Sequence, residues 1–343
     1  MRVLLVEDSR TVRSYVEAIL RAAEDIELLP AAIDGATGVA LAIERRPDVI
    51  LMDLELPVLD GIGAIREIMA AAPCPIVVLS GQLEEPARDR RFESFQAGAA
   101  DVLAKPRGLG DEEIERFGER LLRVVRVMRG ARVLRRGSAS LRRSLTPTPA
   151  RLADVVLIGA STGGPLVVRR ILEGIPAPYP LPIVVCQHIV PGFEHGFAAW
   201  LEATGHRVTV VGPGDKVGAG IVHVARADRH LALRGRELLL LPREEGRPAP
   251  SADVLFESAA AWFGARSVAL LLTGMGEDGK RGMLALRQRG ALTVTQTAQT
   301  CVIDGMPAAA RAAGASQRDL SPAEMCELLR EVVGAPASAR KPG

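Results

Sequence analysis

At 343 residues the chain is long for one domain, and the usual roughly 100–200 residues per domain favours two. Hydrophobic residues make up 48% and aromatics only 3%, so two cores can form and must be built from Ala, Val, Leu and Ile. The net charge of +2 says little about partners, the 4 cysteines form no CxxC pair, and no apolar run approaches the ~20 residues that span a bilayer. Membrane insertion and a disulfide scaffold are therefore not expected. With no signal-peptide layout ahead of the first strand, a reduced, cytoplasmic protein is.

Residues 3–6 read as a strand and 10–22 as a helix, with apolar spacing at Val12, Tyr15, Val16, Ile19 and Leu20. The alternation continues with a strand at 28–32, a helix at 36–45, a strand at 49–52, a helix at 61–71, a strand at 76–79, a helix at 84–97 and a strand at 102–104. A closing helix covers 112–128. Strands alternating with helices imply a doubly wound parallel sheet with right-handed crossovers.

Arg120, Arg123, Arg126, Arg129, Arg132 and Arg135 recur every third residue and lead into Gly137-Ser138-Ala139-Ser140 and Thr146-Pro147-Thr148-Pro149. The Gly, Ser and Pro mark residues 126–152 as a linker. The Arg series reads as a solvated helix face, or else as a docking element for the other domain or an acidic partner. A second α/β domain follows over 153–333, with strands at 155–158, 183–186, 208–211, 221–225, 269–272 and 292–295. Residues 229–241, split by Arg234-Gly235-Arg236, read as a hairpin appended to that sheet. Helices are expected at 164–172, 192–204, 253–263, 280–289 and 307–313, and a disordered tail at 334–343.

In the first domain Glu7-Asp8 follows the first strand and Asp53 the third, at the carboxyl edge where ligands of open α/β sheets bind. Clustered carboxylates repel one another unless a hard cation sits among them, and Mg²⁺ suits such a site. Ser80 and Lys105 end the fourth and fifth strands and add a hydroxyl and an ammonium. The set suits acyl-phosphate formation on an aspartate. These residues resemble those of the response-regulator receiver domain, over about 1–125. The resemblance implies Asp53 as phosphoacceptor, Asp8, Asp53 and Glu7 around Mg²⁺, Ser80 and Lys105 on the phosphoryl group, and a cis Lys105-Pro106 bond. Val102 departs from it, standing where many receivers carry a switch Tyr or Phe.

In the second domain Ser161, in Gly159-Ala160-Ser161-Thr162-Gly163-Gly164, lies between a strand and a helix whose amides can stabilise negative charge. The loop also looks like a phosphate cradle, but lacks the Walker lysine and the GxGxxG spacing. His188 ends the next strand, and Asp278 lies in the turn Thr273-Gly274-Met275-Gly276-Glu277-Asp278-Gly279. Nucleophile, base and orienter are recognised by geometry, so their chain order is no obstacle.

With Gln187-His188, Pro191-Gly192-Phe193, Pro250-Ser251-Ala252-Asp253 and Gly305-Met306-Pro307, these motifs resemble the catalytic domain of chemotaxis protein-glutamate methylesterases. The resemblance implies Ser161 as nucleophile, His188 as base and Asp278 as its orienter. It also implies Met275 at an oxyanion site, with Thr162 assisting, and no cofactor for the esterase reaction. The fold expected is two doubly wound α/β domains, a flavodoxin-like receiver and a Rossmann-like methylesterase domain. The activity implied is hydrolysis of glutamate methyl esters on chemoreceptor helices with release of methanol, together with glutamine deamidation. A chemotaxis histidine kinase would switch it on, and the protein would act as a monomer. The chain departs from the family pattern at Arg226-Ala227-Asp228-Arg229-His230, at Gly246-Arg247-Pro248-Ala249 and at Gln296-Thr297-Ala298-Gln299-Thr300-Cys301. Those departures motivate a second reading, a non-catalytic signalling adaptor. A DNA-binding regulator would rest on the Arg-rich linker alone, and no helix-turn-helix follows it.

Overall fold

The computed structural model describes residues 1–81, 85–106, 108, 110–131, 153–244 and 248–333. Arg132, Arg135, the Gly/Ser/Pro motifs of the linker, Gly246-Arg247 and the 334–343 tail lie outside the described residues. The chain divides into two compact units, Met1–Val133 and Leu134–Gly343.

The first unit alternates β1 (Arg2–Val6), α1 (Arg10–Arg21), β2 (Glu27–Leu28), α2 (Gly35–Arg45), β3 (Val49–Asp53), α3 (Gly61–Ala71), β4 (Ile76–Ser80), α4 (Glu85–Ala97), β5 (Asp101–Ala104) and α5 (Asp111–Met128). The parallel strands run in the order β2-β1-β3-β4-β5, which is the flavodoxin-like order. Every residue of β3 and β4 is buried, which is why these strands read as unbroken apolar runs. Ser9, Asp34 and Asp60 start α1, α2 and α3 by accepting the N–H groups of Val12, Thr37 and Gly63.

Two expectations fail here. The strand expected at 28–32 shrinks to Glu27–Leu28 plus an isolated bridge from Ala32 to Val6. Pro30 explains the break, since it has no N–H for the ladder. Among the described residues the cis peptide bonds are Ala177-Pro178 and Ala249-Pro250, so Lys105-Pro106 is trans.

The second unit comprises β6 (Val155–Ala160), α6 (Gly164–Glu173), β7 (Ile183–Gln187), α7 (Glu194–Glu202), β8 (Arg207–Val210), β9 (Ile221–Val224), β10 (His230–Arg234), β11 (Glu237–Leu241), α8 (Ala252–Trp262), β12 (Ser267–Leu271), α9 (Lys280–Gln288), β13 (Leu292–Gln296), α10 (Met306–Ala312), β14 (Arg318–Leu320) and α11 (Pro322–Val332). Its parallel 7-stranded sheet has the order β14-β13-β12-β6-β7-β9-β8. The chain leaves β6 toward β7 on one side and later returns to β12 on the other, so the order reverses between β12 and β6. A doubly wound sheet binds ligands outside its carboxyl ends at such a point.

The hairpin expected to extend this sheet does not. β10 and β11 pair with each other as a separate antiparallel sheet, and a single antiparallel bridge joins Glu237 of β11 to Lys216. Leu231, Leu233 and Leu238, each 2% exposed or less, pack into the cluster of Leu255, Phe256 and Ala259 on α8. Each fully buried Leu contributes about 1.5–3 kcal/mol, so covering α8 outweighs adding an edge strand. β14 and α11 were not anticipated, although Ser321-Pro322-Ala323-Glu324 carries the signal. Ser321 and Glu324 form a reciprocal capping box with Pro322 in the first turn.

Candidate active site

The sheet register brings the serine and histidine turns together. Ala160 pairs with Gln187, and the last rung is His188 N–H donating to Ala160 O at 2.9 Å. On the other flank Gly159 pairs with Leu271, and Ser161 N–H donates to Thr273 O at 3.0 Å. Ser161 therefore stands on the middle of three adjacent strand ends, about 4.8 Å in strand spacing from each neighbour.

Gly274 is required by this closeness. A Cβ there would lie 2.6 Å from Ser161 Cβ and 2.5 Å from Met306 Sδ. Gly274 O accepts Gly305 N–H at 3.0 Å and Met306 N–H at 2.9 Å, so the Gly305-Met306-Pro307 segment backs the turn. Met275 is half-buried, and its N–H has no protein acceptor among the described residues. Thr162 is half-buried, and its carbonyl accepts the Thr273 hydroxyl at 3.0 Å.

His188 Nε2 lies 2.7 Å from Asp278 Oδ2. The same carboxylate crosses the N-terminus of α8, accepting Ser251 Oγ at 2.7 Å and the N–H groups of Ala252 at 2.7 Å and Asp253 at 3.1 Å. Burial pushes the Asp278 carboxyl up, but the His188 hydrogen bond and charge, with Ser251 and Ala252, outweigh it and hold the group down at about 2. Among the described residues no hydrogen bond joins the Ser161 hydroxyl to His188. Two of the three expected groups are bonded, and the third is on the adjacent turn.

Cys186, two residues before His188, offers no rival nucleophile. Burial, and then the charges of Asp278 and Asp253, push its thiol well above the usual range. Ser251, Gln187 and Thr273 were not singled out from the sequence as parts of the site. Ser251 stands at an N-cap position, and Gln187 and Thr273 lie within motifs that carry the resemblance, but nothing local assigns their side chains a partner.

In the first unit one oxygen each from Glu7, Asp8 and Asp53 lies within 4.8 Å of the others, beyond the ends of β1 and β3. Lys105 Nζ lies 2.7 Å from Asp53 Oδ2 and 2.8 Å from Glu7 Oε2. Burial, and then Asp53, push the Glu7 carboxyl up to about 7 even though Lys105 acts against the shift. Three acids this close carry more negative charge than one ammonium balances, a donor set that fits a hard divalent cation. Ser80 is buried at the end of β4, where its carbonyl accepts Lys105 N–H at 2.8 Å. Val102, in the place where many receivers carry a switch aromatic, is half-buried.

A parallel sheet with a histidine–carboxylate pair beside a serine turn, in a chain that also carries a receiver-type acid site, defines a hydrolase with a response-regulator domain. The chain matches the CheB methylesterase family over residues 156–329 and the response regulator receiver domain over 3–114. It is 40% identical over 338 residues to protein-glutamate methylesterase/protein-glutamine glutaminase 3 of Anaeromyxobacter dehalogenans, covering 96% of this chain and 98% of that one. It is 38% identical over 330 residues to the like-named protein of Myxococcus xanthus, covering 96% and 93%. The crystal structure of the Thermotoga maritima CheB methylesterase catalytic domain superposes with a TM-score of 0.50 at 31% identity, covering 53% of this chain and 99% of that one. The chain belongs to the protein-glutamate methylesterase/protein-glutamine glutaminase family, and is a hydrolase of that type with an N-terminal receiver domain.

Proposed function

We propose that this chain demethylates glutamate methyl esters and deamidates glutamines on chemoreceptor helices, through Ser161, His188 and Asp278, in adaptation of a chemotaxis-type pathway. The carrying observation is the 2.7 Å His188–Asp278 pair one strand spacing from Ser161. Asp278 accepts from Nε2, so that nitrogen carries the proton and Nδ1 is left as the base. Ser161 Oγ attacks the ester carbonyl carbon while Nδ1 takes its proton, and Asp278 stabilises the imidazolium that forms. The Met275 N–H, without a protein acceptor, suits the oxyanion, a contribution worth ~2.7–4 kcal/mol per donor in comparable sites. Collapse of the tetrahedral species expels methoxide, which takes the Nδ1 proton and leaves as methanol. Water then enters with the same base, releasing glutamate and restoring Ser161. With glutamine the leaving group is ammonia.

The receiver domain controls this activity in the same proposal. Asp53 accepts a phosphoryl group from a chemotaxis histidine kinase, and Lys105 and Ser80 contact it. Asp8, Asp53 and Glu7 would hold Mg²⁺, which when bound offsets the negative charge gathered on the phosphoryl oxygens and the acids. The test is methanol release from a methylated receptor fragment by wild-type and Ser161→Ala full-length protein. Turnover by Ser161→Ala at the wild-type rate would overturn the nucleophile assignment.

A further inference from the structure

We propose that Gln187 is a positioning residue for the hydrolase reaction, its single amide group holding the nucleophile turn and the base turn at a set separation. This rests on the assignment of Ser161 and His188 given above. The Gln187 side chain is buried, at 1% exposure of the residue. Its Nε2 donates to Ser161 O at 2.9 Å and to His188 O at 2.8 Å. These are the carbonyls of the two residues whose side chains must exchange a proton.

The position of this bridge explains it. The backbone ladder between β6 and β7 ends at the rung from His188 N–H to Ala160 O. Beyond that rung Ser161 turns into α6, and its carbonyl also accepts Gly164 N–H at 2.8 Å. On the neighbouring strand β7 has ended at Gln187, and His188 is the first residue beyond it. The Gln187 amide takes over where the ladder stops, so the two turns stay cross-linked after their strands diverge.

The requirement is for two N–H donors on one buried side chain. A Glu of the same shape is an acceptor facing two acceptors, and a Met of similar volume offers no donor. The amide's other end shows what this placement entails. Gln187 Oε1 is buried without a hydrogen-bond partner, an arrangement native interiors largely avoid. It also dictates its neighbour: a Cβ on Gly164 would lie 2.3 Å from Oε1, so α6 opens on a glycine. A side chain kept only for packing would have no need to aim both donors at these carbonyls and strand its oxygen.

Gln187→Met, Gln187→Glu and Gly164→Ala test the bridge in the full-length protein. The methyl of the last displaces the amide oxygen and also crowds Ala160 Cβ, 2.8 Å away, so an unchanged kcat there counts against the bridge and a loss is read together with the Gln187 variants. The measurements are kcat and KM for methanol release from a methylated receptor fragment, the acylation rate with a serine-directed fluorophosphonate, and the thermal transition. A misplacement of about 1 Å costs on the order of 10²-fold in rate. The expected result is therefore a roughly 10- to 100-fold fall in kcat and in acylation rate with KM within about two-fold, in variants that still unfold cooperatively. A Met variant that fails to fold leaves Gln187→Glu and Gly164→Ala to decide. Wild-type kcat and acylation rate in folded variants, beside an inactive Ser161→Ala control, would overturn the positioning role and leave the nucleophile standing. An active Ser161→Ala would instead remove the reading on which it rests.

Discussion

His188 and Asp278 meet through Nε2 and Oδ2 at 2.7 Å, although 90 residues separate them. The carboxylate is held on its far side by Ser251 and by the first amides of α8, so the histidine is oriented by a helix N-terminus as well as by one acid.

Asp278→Asn should therefore cost far more than one hydrogen bond. An amide has one accepting oxygen for donors that now share two. Its NH₂ would face either the imidazole N–H or the helix amides. A kcat loss on the order of 10³- to 10⁴-fold is expected, as for orienting carboxylates in comparable triads. Methanol release at saturating substrate measures it.

The same acid makes the catalytic unit acid-sensitive. Its folded value of about 2 lies below the ordinary 3.8, so the stabilisation is fully present above the unfolded value and is lost as pH falls through the folded one. A loss of about 2 kcal/mol is expected between roughly pH 4 and pH 2. Denaturant titrations across that range should show it, and Asp278→Ala should flatten the dependence.

Glu7 predicts the opposite slope in the receiver unit. Its carboxyl is raised from 4.5 to about 7, so its contribution to stability is present below 4.5 and is lost as pH rises through 7. Added Mg²⁺ should raise the thermal midpoint at pH 8 more than at pH 5.5, and Asp8→Ala should remove most of that gain. Acetyl phosphate with Mg²⁺ should raise esterase activity, and Asp53→Ala should abolish the response. Equal midpoints with and without the cation would argue against a metal among these acids.

Tyr179 stabilises the end of the chain. Its buried hydroxyl donates at 2.7 Å to Leu329 O, in the last turn of α11 where helix carbonyls lack intrahelical partners. Tyr179→Phe should destabilise the catalytic unit by about 1–3 kcal/mol through the stranded carbonyl, read from chemical denaturation.

Gly274→Ala would place a methyl 2.6 Å from Ser161 Cβ. The serine turn must then move, and a fall in kcat on the order of 10²-fold is expected with cooperative unfolding retained. An unchanged kcat would show that the turn tolerates displacement.

Much of this molecule was legible before folding because the signals are local. Val49–Asp53 and Ile76–Ser80 are buried on both faces and so are continuously apolar. Asp53, Ser80 and His188 stand where such runs stop, which marks them as strand-end residues. The motifs at Ser161, Asp278 and Gly305 carried the family resemblance. Pro30, the hairpin and Ser321 were less plainly read, since each depended on a competing local rule or on a distant partner.

The sequence alone determined where most of the buried strands lie and which chemical groups sit at their ends, because periodicity is set by neighbours a few residues away. Strand order came only with the tertiary structure. It set β6 between β12 and β7, laid Asp278 across the start of α8, turned the hairpin onto that helix and brought the Gln187 amide over two carbonyls. Those outcomes depend on burying apolar faces between elements many residues apart, and no local pattern encodes which face meets which.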